Sequence, residues 1–483
     1  MASTAGGKLK PRIIIHGGAG NIRRESMSAD QYQQYRRSLL GIITSTDAYM
    51  RTPKGAPGKH PLSGPKYPSA LEITTYAVVK LEDDPLFNSG HGAVFTRDGT
   101  NELEASVMVS RGFAKRGVGV TGLRTVRNPI LLARAMLEHG ERDLLGNTPV
   151  AEGLSGGDEA DGAVPDVPSA QGHTLLHGGS AEALARKYGL ETVDPSYFFT
   201  QRRWDEHVRG LERERQGGAP TWSADEYISQ GTCGAVALDE DGVVCVATST
   251  GGITNKLTGR IGDTPVVGAG FWAEEWREKG DPSAGAARRA ADPRRSLVEY
   301  LEIPGPVVGL SSALYNLVSD CLPTPFMYEP VAPSETARAN RAGGADVEVI
   351  RSTAVSGTGN GDSFLRVAAA RSVASIARWA GVSSSDAVRR IAGRGGELET
   401  SAGSRWGKTG EGEGGMIGIE CAIAVDRSGA VLYSRSEILQ DHNCAGMFRA
   451  WIGDDGLPEM KIWHEDEGDH SEVWLASAIA EKY

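Results

Sequence analysis

Cysteine is scarce in this chain, and nothing suggests that what there is forms pairs. Five occur in 483 residues. They are Cys233, Cys245, Cys321, Cys421 and Cys444, an odd number, widely scattered, with no C-x-x-C among them. That excludes a disulfide framework and a dithiol redox motif. Free thiols belong to a reducing compartment, so a cytoplasmic location is expected. Long apolar runs are missing too. Nothing approaches the roughly 20 apolar residues that a membrane span needs. The opening MASTAGGKLKPRIIIHGG has only a short apolar burst, Ile13 to Ile15, too short for a secretory leader. Positive charge is in deficit, with 51 Lys and Arg against 62 Asp and Glu, a net of −11. A surface of that sign disfavours nucleic acid and anionic membrane as partners. No internal repeat is visible.

What is present describes a globular protein. Hydrophobic residues make up 40% and charged residues 23%, and the length suffices for a large core. Glycine is abundant at 63, so part of the backbone is expected in tight or left-handed conformations. RIIIHGGAG (12–20) reads as a buried strand ending in a glycine turn. Helical spacing marks 30–47, 69–83, 128–140 with Gly140 as its stop, 180–191, and one strong helix over 363–381. TCGAVALD and GVVCVATST, joined by a polar turn at Asp239 to Gly242, form a hairpin signal. IECAIAVDRSGAVLYSR (419–435) forms another, and 266–274 reads as a further strand. Loops are expected over 52–70 and 145–172, and an exposed, flexible tail over about 202–231. Residues 275–350 read as a mixed insertion with some helix at 295–302 and 309–319. Hairpin-paired strands flanked by helices suggest a layered α+β packing rather than a parallel βαβ sheet.

The step Gly231-Thr232 carries the chemical argument. A threonine hydroxyl is a poor nucleophile until a base takes its proton. A threonine at a chain terminus supplies that base itself, because an α-amine has a pKa near 7.7–8.0, against about 10.4 for lysine. Inside a chain the same nitrogen is an amide and cannot act so. The bond between 231 and 232 must therefore break first. Gly231, lacking a Cβ, tolerates strain there and leaves its carbonyl open to attack. An isolated Gly-Thr step is ordinarily a strand edge after a turn, so its surroundings have to decide.

Those surroundings are specific. GTCGAVALDEDGVVCVATSTGGITNKLTGRIGDTPVVGAG (231–270) resembles the plant-type L-asparaginase and isoaspartyl peptidase family. Its members are N-terminal-nucleophile hydrolases, made as precursors that cut themselves before a threonine. IIIHGGAG (13–20), LEDDPLFNSGHGAVFT (81–96), AVSGTGNGDSFLR (354–366) and NCAGMFRAW (443–451) match in family order, covering about residues 12–452 with interruptions. The resemblance implies a four-layer αββα sandwich built as one domain from two chains, 1–231 and 232–483. It makes Thr232 the nucleophile and Thr250 a second threonine beside it. Thr358 and Gly359 become the oxyanion hole, and Asn88 a side chain next to the nucleophile. Arg260 and Asp263 hold the free amino-acid end of the substrate, carboxylate to guanidinium and ammonium to carboxylate. Gly361 adds a backbone carbonyl to the ammonium site. Leu81, Glu82, Asp84, Phe87, Ser89 and His91 fall on a loop whose main-chain oxygens hold a structural sodium in the family. No cofactor is implied for catalysis. A small-molecule or dipeptide substrate and a homodimer of αβ units are implied as well.

The chain departs from the family in places. Cys233 follows the nucleophile where an aliphatic residue is usual, but strand alternation turns it to the opposite face. About 85 residues, 270–354, separate motifs that nearly adjoin in relatives, and 52–70 is extra as well. A glycosylasparaginase-type amidase shares SGTGNGD but usually has aspartate before the threonine. A taspase-like endopeptidase shares GFWAE but usually has serine for Thr250 and also cuts after aspartate. Outside the family, the glycine density of 356–363 raises a nucleotide-binding module, although Walker and Rossmann spacings are missing. A non-catalytic relative is the remaining alternative. His173 and His177 have zinc-like spacing without a third ligand. The nucleophile assignment predicts that Thr232→Ala leaves a single full-length band on a denaturing gel and abolishes hydrolysis. Normal cleavage in that variant would place the nucleophile elsewhere.

Overall fold

The computed structural model describes residues 2–4, 9–54, 66–146, 167–217, 231–279 and 347–464. They fall into a large unit, Met1–Arg277 with Ile350–Ile423 and Leu432–Tyr483, and a small one, Glu278–Val349 with Ala424–Val431. Among the described residues no helix is long and apolar enough to cross a membrane.

Helices α1 (Ala29–Met50) and α2 (Ala70–Asp83) both start at capping boxes. Ser28 accepts the Gln31 N–H at 3.2 Å while Gln31 returns the bond at 3.0 Å, and Ser69 and Glu72 repeat the pattern. Helices α3 (Pro129–Leu144), α4 (Gly178–Lys187) and α5 (Gln201–Arg215) follow. Eight strands form one sheet. They are β2 (Arg12–Gly20), β3 (Leu103–Val109), β4 (Gly117–Leu123), β5 (Leu175–His177), β6 (Cys233–Leu238), β7 (Val244–Thr250), β12 (Gly446–Ile452) and β13 (Pro458–Lys461), in the order β13-β12-β2-β6-β7-β3-β4-β5. All pairs are antiparallel except β4 with β5. The second sheet runs β1-β11-β10-β9-β8, from β1 (Ala2–Thr4), β8 (Phe271–Lys279), β9 (Glu348–Gly359), β10 (Gly414–Val425) and β11 (Val431–His442). Helices α6 (Gly361–Val367), α7 (Ala369–Trp379), α8 (Ser384–Ala392) and α9 (Glu397–Ala402) lie between β9 and β10 in the chain. In the small unit, Asp426 closes the turn to Ala430 through its carboxylate and its own N–H.

Alternation along the strands sorts their side chains into separate cores. Ile13, Ile15, Cys233, Ala235 and Ala237 pack with Leu39, Ile73, Val78 and Ile130 of the helices. Ile14, Val236, Leu238 and Val246 of the same strands pack instead with Phe271, Ala354, Ile417 and Ile419 of the other sheet. Val355, Met416 and Leu439 pack with Phe364, Val373 and Ile391. The central strands are buried along their whole length, which explains why they read as continuous apolar runs.

The α+β reading and both hairpins agree with this architecture. Several boundaries differ. Gly140 does not stop α3, which continues to Leu144; a Cβ at 140 would meet the Arg116 guanidinium, so the glycine there makes room for a side chain. The single helix expected over 363–381 is two, broken at Ala368 with φ of 47°. The expected tail at 202–231 begins as helix α5, whose Arg203, His207 and Gly210 form a buried face at helical spacing. Phe271–Lys279 and Glu348–Gly359, at the two ends of the expected insertion, are strands of the second sheet. Its helices at 295–302 and 309–319, and residues 218–230, lie outside the described residues.

Candidate active site

Thr232 sits immediately before β6, near the middle of the large sheet, and is 4% exposed. Cys233 pairs with Ser249 and Gly234 with Thr248, so the antiparallel register sets Thr232 opposite Thr250. Val236 and Leu238, on the same strand face as Thr232, enter the intersheet core, whereas Cys233 enters the helix-side core. Burial pushes the Cys233 thiol up to about 12, which leaves no thiolate at neutral pH. The two neighbours therefore face opposite ways, as strand geometry requires. Thr232 Oγ1 lies 2.9 Å from Thr264 Oγ1, and Thr264 is fixed by its carbonyl, which accepts Ser106 Oγ at 2.6 Å. Gly231 is wedged against Gly18 of β2, where a Cβ on Gly231 would overlap the Gly18 Cα and the Ala19 nitrogen. No other residue fits there without moving the strand.

Asn88 lies on the far side of Thr250. Its Nδ2 donates to Gly252 O at 2.6 Å and its Oδ1 accepts the Val94 N–H at 3.0 Å. Gly251 N–H donates to Asn88 O at 3.1 Å, and Gly252 N–H to Thr250 Oγ1 at 3.0 Å. Asn88 and Thr250 are thus locked together through two glycines.

Arg260, Asp263 and Gly361 converge. A methyl group placed on Gly361 would lie 2.5 Å from Asp263 Oδ1 and 3.2 Å from Arg260 Nη2. Burial pushes the Asp263 carboxyl up to about 7, with the Arg260 charge acting the other way. Asp263 Oδ2 has no hydrogen-bond partner, and neither does Thr358 Oγ1. Arg260 Nη2 also donates to Asp362 Oδ1 at 3.1 Å. Gly359 adopts φ of 137°, and its neighbour Asn360 donates its N–H to Glu413 O at 2.8 Å. Arg260, Asp263 and Gly361 thus set a cation and a buried carboxyl beside one small space.

The loop after α2 turns its carbonyls inward. A Cβ on Gly90 would strike Glu82 O, and one on Gly92 would strike Phe87 O and Pro85 O. Leu81 O accepts Ser89 Oγ at 3.3 Å, Asp84 O accepts Phe87 N–H at 3.3 Å, and Ser89 O accepts Gly92 N–H at 3.1 Å. The His91 ring meets Tyr197 edge-on at 4.8 Å. The hydrogen bonds hold the loop to the end of α2 through its main chain.

Sequence reasoning missed four residues. Thr264 directly follows Asp263 in the quoted motif and carried no separate signal. Glu104 stands beside Thr250 on β3 and accepts Gly262 N–H at 3.2 Å. A carboxylate in an apolar buried strand was the available clue. His16 meets Ser356 Oγ at 2.6 Å, and burial pulls it down to about 3, against a hydrogen bond to the Thr232 backbone. Arg203 lay hidden in a charged stretch. Of the candidate zinc pair, His177 ends β5 with its ring against Gly122.

Comparison with known proteins gives the family. The sequence profile of the asparaginase family matches residues 9–154 and 166–277. The chain is 37% identical over 268 residues to the isoaspartyl peptidase of Escherichia coli K12, covering 55% of this chain and 68% of that protein. It is 32% identical over 270 residues to the plant-type L-asparaginase of Pyrococcus furiosus, covering 54% and 70%. It is 32% identical over 266 residues to the isoaspartyl peptidase/L-asparaginase of Xenopus laevis, covering 55% and 67%. Burial raises the thiols of Cys233, Cys245, Cys421 and Cys444 to about 12 each. Iodoacetamide at pH 7.5 should therefore leave these four unlabelled in the native protein and label them in urea, as read by peptide mass spectrometry. Native labelling of Cys233 would restore it as a rival nucleophile.

Proposed function

The chain belongs to the asparaginase family, and from that premise we propose that it is a self-cleaving amidohydrolase whose terminal Thr232 hydrolyses L-asparagine and β-aspartyl (isoaspartyl) peptides, releasing aspartate. In maturation the Thr232 hydroxyl attacks the Gly231 carbonyl. The peptide bond becomes an ester as the Thr232 nitrogen is released as an amine, and water then cleaves the ester. In turnover the new amine takes the hydroxyl proton, and Oγ1 attacks the substrate's β-carbonyl. Thr358 Oγ1 and the Gly359 N–H hold the oxyanion. The proton passes to the leaving ammonia or peptide amine, and water releases aspartate from the acyl-enzyme.

The observation that carries this reading is the convergence of Asp263 and Arg260, in the chain segment beyond Thr250, with Gly361 at the start of α6. A free α-amino acid end needs one anion and one cation side by side. The partnerless Thr358 hydroxyl supports the oxyanion role, and the Thr264 contact supports a fixed Thr232 side chain. The three separate cores support a four-layer αββα sandwich. The proposal extends to a cytoplasmic homodimer of αβ units acting on small-molecule or dipeptide substrates. It includes a structural sodium held by main-chain oxygens of Leu81, Glu82, Asp84, Phe87, Ser89 and His91. That ion would fix the loop bearing Asn88, and no step of the reaction passes through it.

The direct test is aspartate release from asparagine and from β-aspartyl-leucine by aged protein, with neither substrate turned over if the reading fails. The state of Asp263 adds a pH signature. Its raised pKa keeps it neutral below about 7, so the ammonium-binding carboxylate forms as pH rises. kcat/KM should climb through pH about 7. Asp263→Asn should remove that limb and lower kcat/KM at pH 8.5 by about 100-fold, the scale of breaking a buried charge pair. Only the limb of the Thr232 amine, near 7.7–8.0, should then remain. An unchanged profile in Asp263→Asn would contradict the role.

A further inference from the structure

Arg203 of α5 carries one of the most deeply buried charges in the described chain, with its side chain 1% exposed. A guanidinium out of water is tolerated only when it is paired and its N–H groups are used. Glu206, three residues on along the same helix with its side chain 8% exposed, takes Nη1 at 2.9 Å on one oxygen and Arg202 Nε at 3.2 Å on the other. The remaining donors leave the helix. Nε donates to Gly92 O at 2.7 Å and Nη2 to Leu86 O at 3.2 Å. Those two carbonyls bracket Asn88, two residues after one and four before the other. His207, one turn along α5, bonds through its ring to the Asn255 side chain, whose Nδ2 donates back to His207 O at 3.1 Å. Asn255 lies in the loop that follows Thr250. One helix face therefore grips two loops: the one bearing Asn88, and the one running through Gly251 and Gly252 to Asn255. Asn88 joins the two through the bonds already described.

We propose that Arg203 is a positioning residue for the reaction: its guanidinium clamps the Leu86 and Gly92 carbonyls and so holds Asn88, and through Gly251 and Gly252 holds Thr250, opposite the nucleophile. The idea rests on Thr232 being that nucleophile. It adds that α5, the last described helix before the cut, ties the two product chains together, since Arg203 and Asn88 precede residue 231 and Asn255 follows it. A fork of several donors in one plane suits this task, because it reaches two carbonyls and one carboxylate at once. Lysine has a single point of attachment and does not replace it.

The test uses the full mature chain, with activity expressed per cleaved molecule measured on a gel. Arg203→Ala, Arg203→Lys, and the pair Arg203→Met with Glu206→Gln, which removes the charge without leaving an unpaired carboxylate, are compared with the parent. All three should lower kcat for asparagine by about 100-fold. KM should move less than threefold, since the bonds of Arg203 itself end on Leu86, Gly92 and Glu206 and not on Arg260 or Asp263. Added guanidinium at millimolar concentration should recover at least tenfold of the kcat lost in Arg203→Ala, and none in Arg203→Lys. A parental kcat in the Met/Gln pair would overturn the proposal, as would a loss confined to KM or a loss in Arg203→Ala that guanidinium leaves untouched. If the parent protein releases no aspartate, the nucleophile reading fails first, and the two failures are thereby told apart.

Discussion

The hydroxyl of Thr232 has no usable base as long as its own nitrogen is an amide. The structure is arranged around that constraint. Thr232 occupies the first position before a central strand, buried and turned toward the intersheet core, with its oxygen held by Thr264. Gly231 is pressed so closely on Gly18 that only a residue without a side chain fits. On the proposed reading, breaking the bond between them turns a silent amide into an amine whose pKa sits near neutrality. The two described titratable groups beside it, His16 and Cys233, do not offer the same. His16 is held neutral far below its usual range by burial, and Cys233 points into the other core.

The rest of the site follows from where three loops meet the end of that strand. The Asn88 loop comes from the end of α2 and the Thr250 loop from β7. Gly359 and Gly361 come from the junction of β9 and α6. Each is a glycine-rich connection set on rigid elements, the usual way to bring short-reach groups together without a long, flexible linker. Arg203 adds a brace from the opposite side. A buried ion pair is weak evidence for stability on its own account, but here two of the guanidinium's bonds end on the loop that carries Asn88.

Much of this was legible before any coordinates. The two hairpins, the buried β2 strand and the starts of α1 and α2 could be read from spacing and turn residues, because those depend on contacts near in sequence. Placing Arg260, Asp263, Thr358, Gly359 and Gly361 in one site depended on the family resemblance, and the structure brings Arg260, Asp263 and Gly361 together. What the sequence hid were long-range facts. Gly140 looks like a helix stop until Arg116 is seen above it. Residues 363–381 look like one helix because nothing local marks Ala368 as left-handed. Helix α5 looked like a solvated tail because five of its fifteen residues are Arg and four are Asp or Glu in the pattern QRRWDEHVRGLERER; its buried face is narrow and polar, so the ordinary apolar signal is missing.

The most direct test of the account is the N-terminal sequence of aged protein that is active on asparagine. The account predicts a second terminus reading TCGAV, in equal amount to the original one. Active material that shows only the original terminus would contradict it.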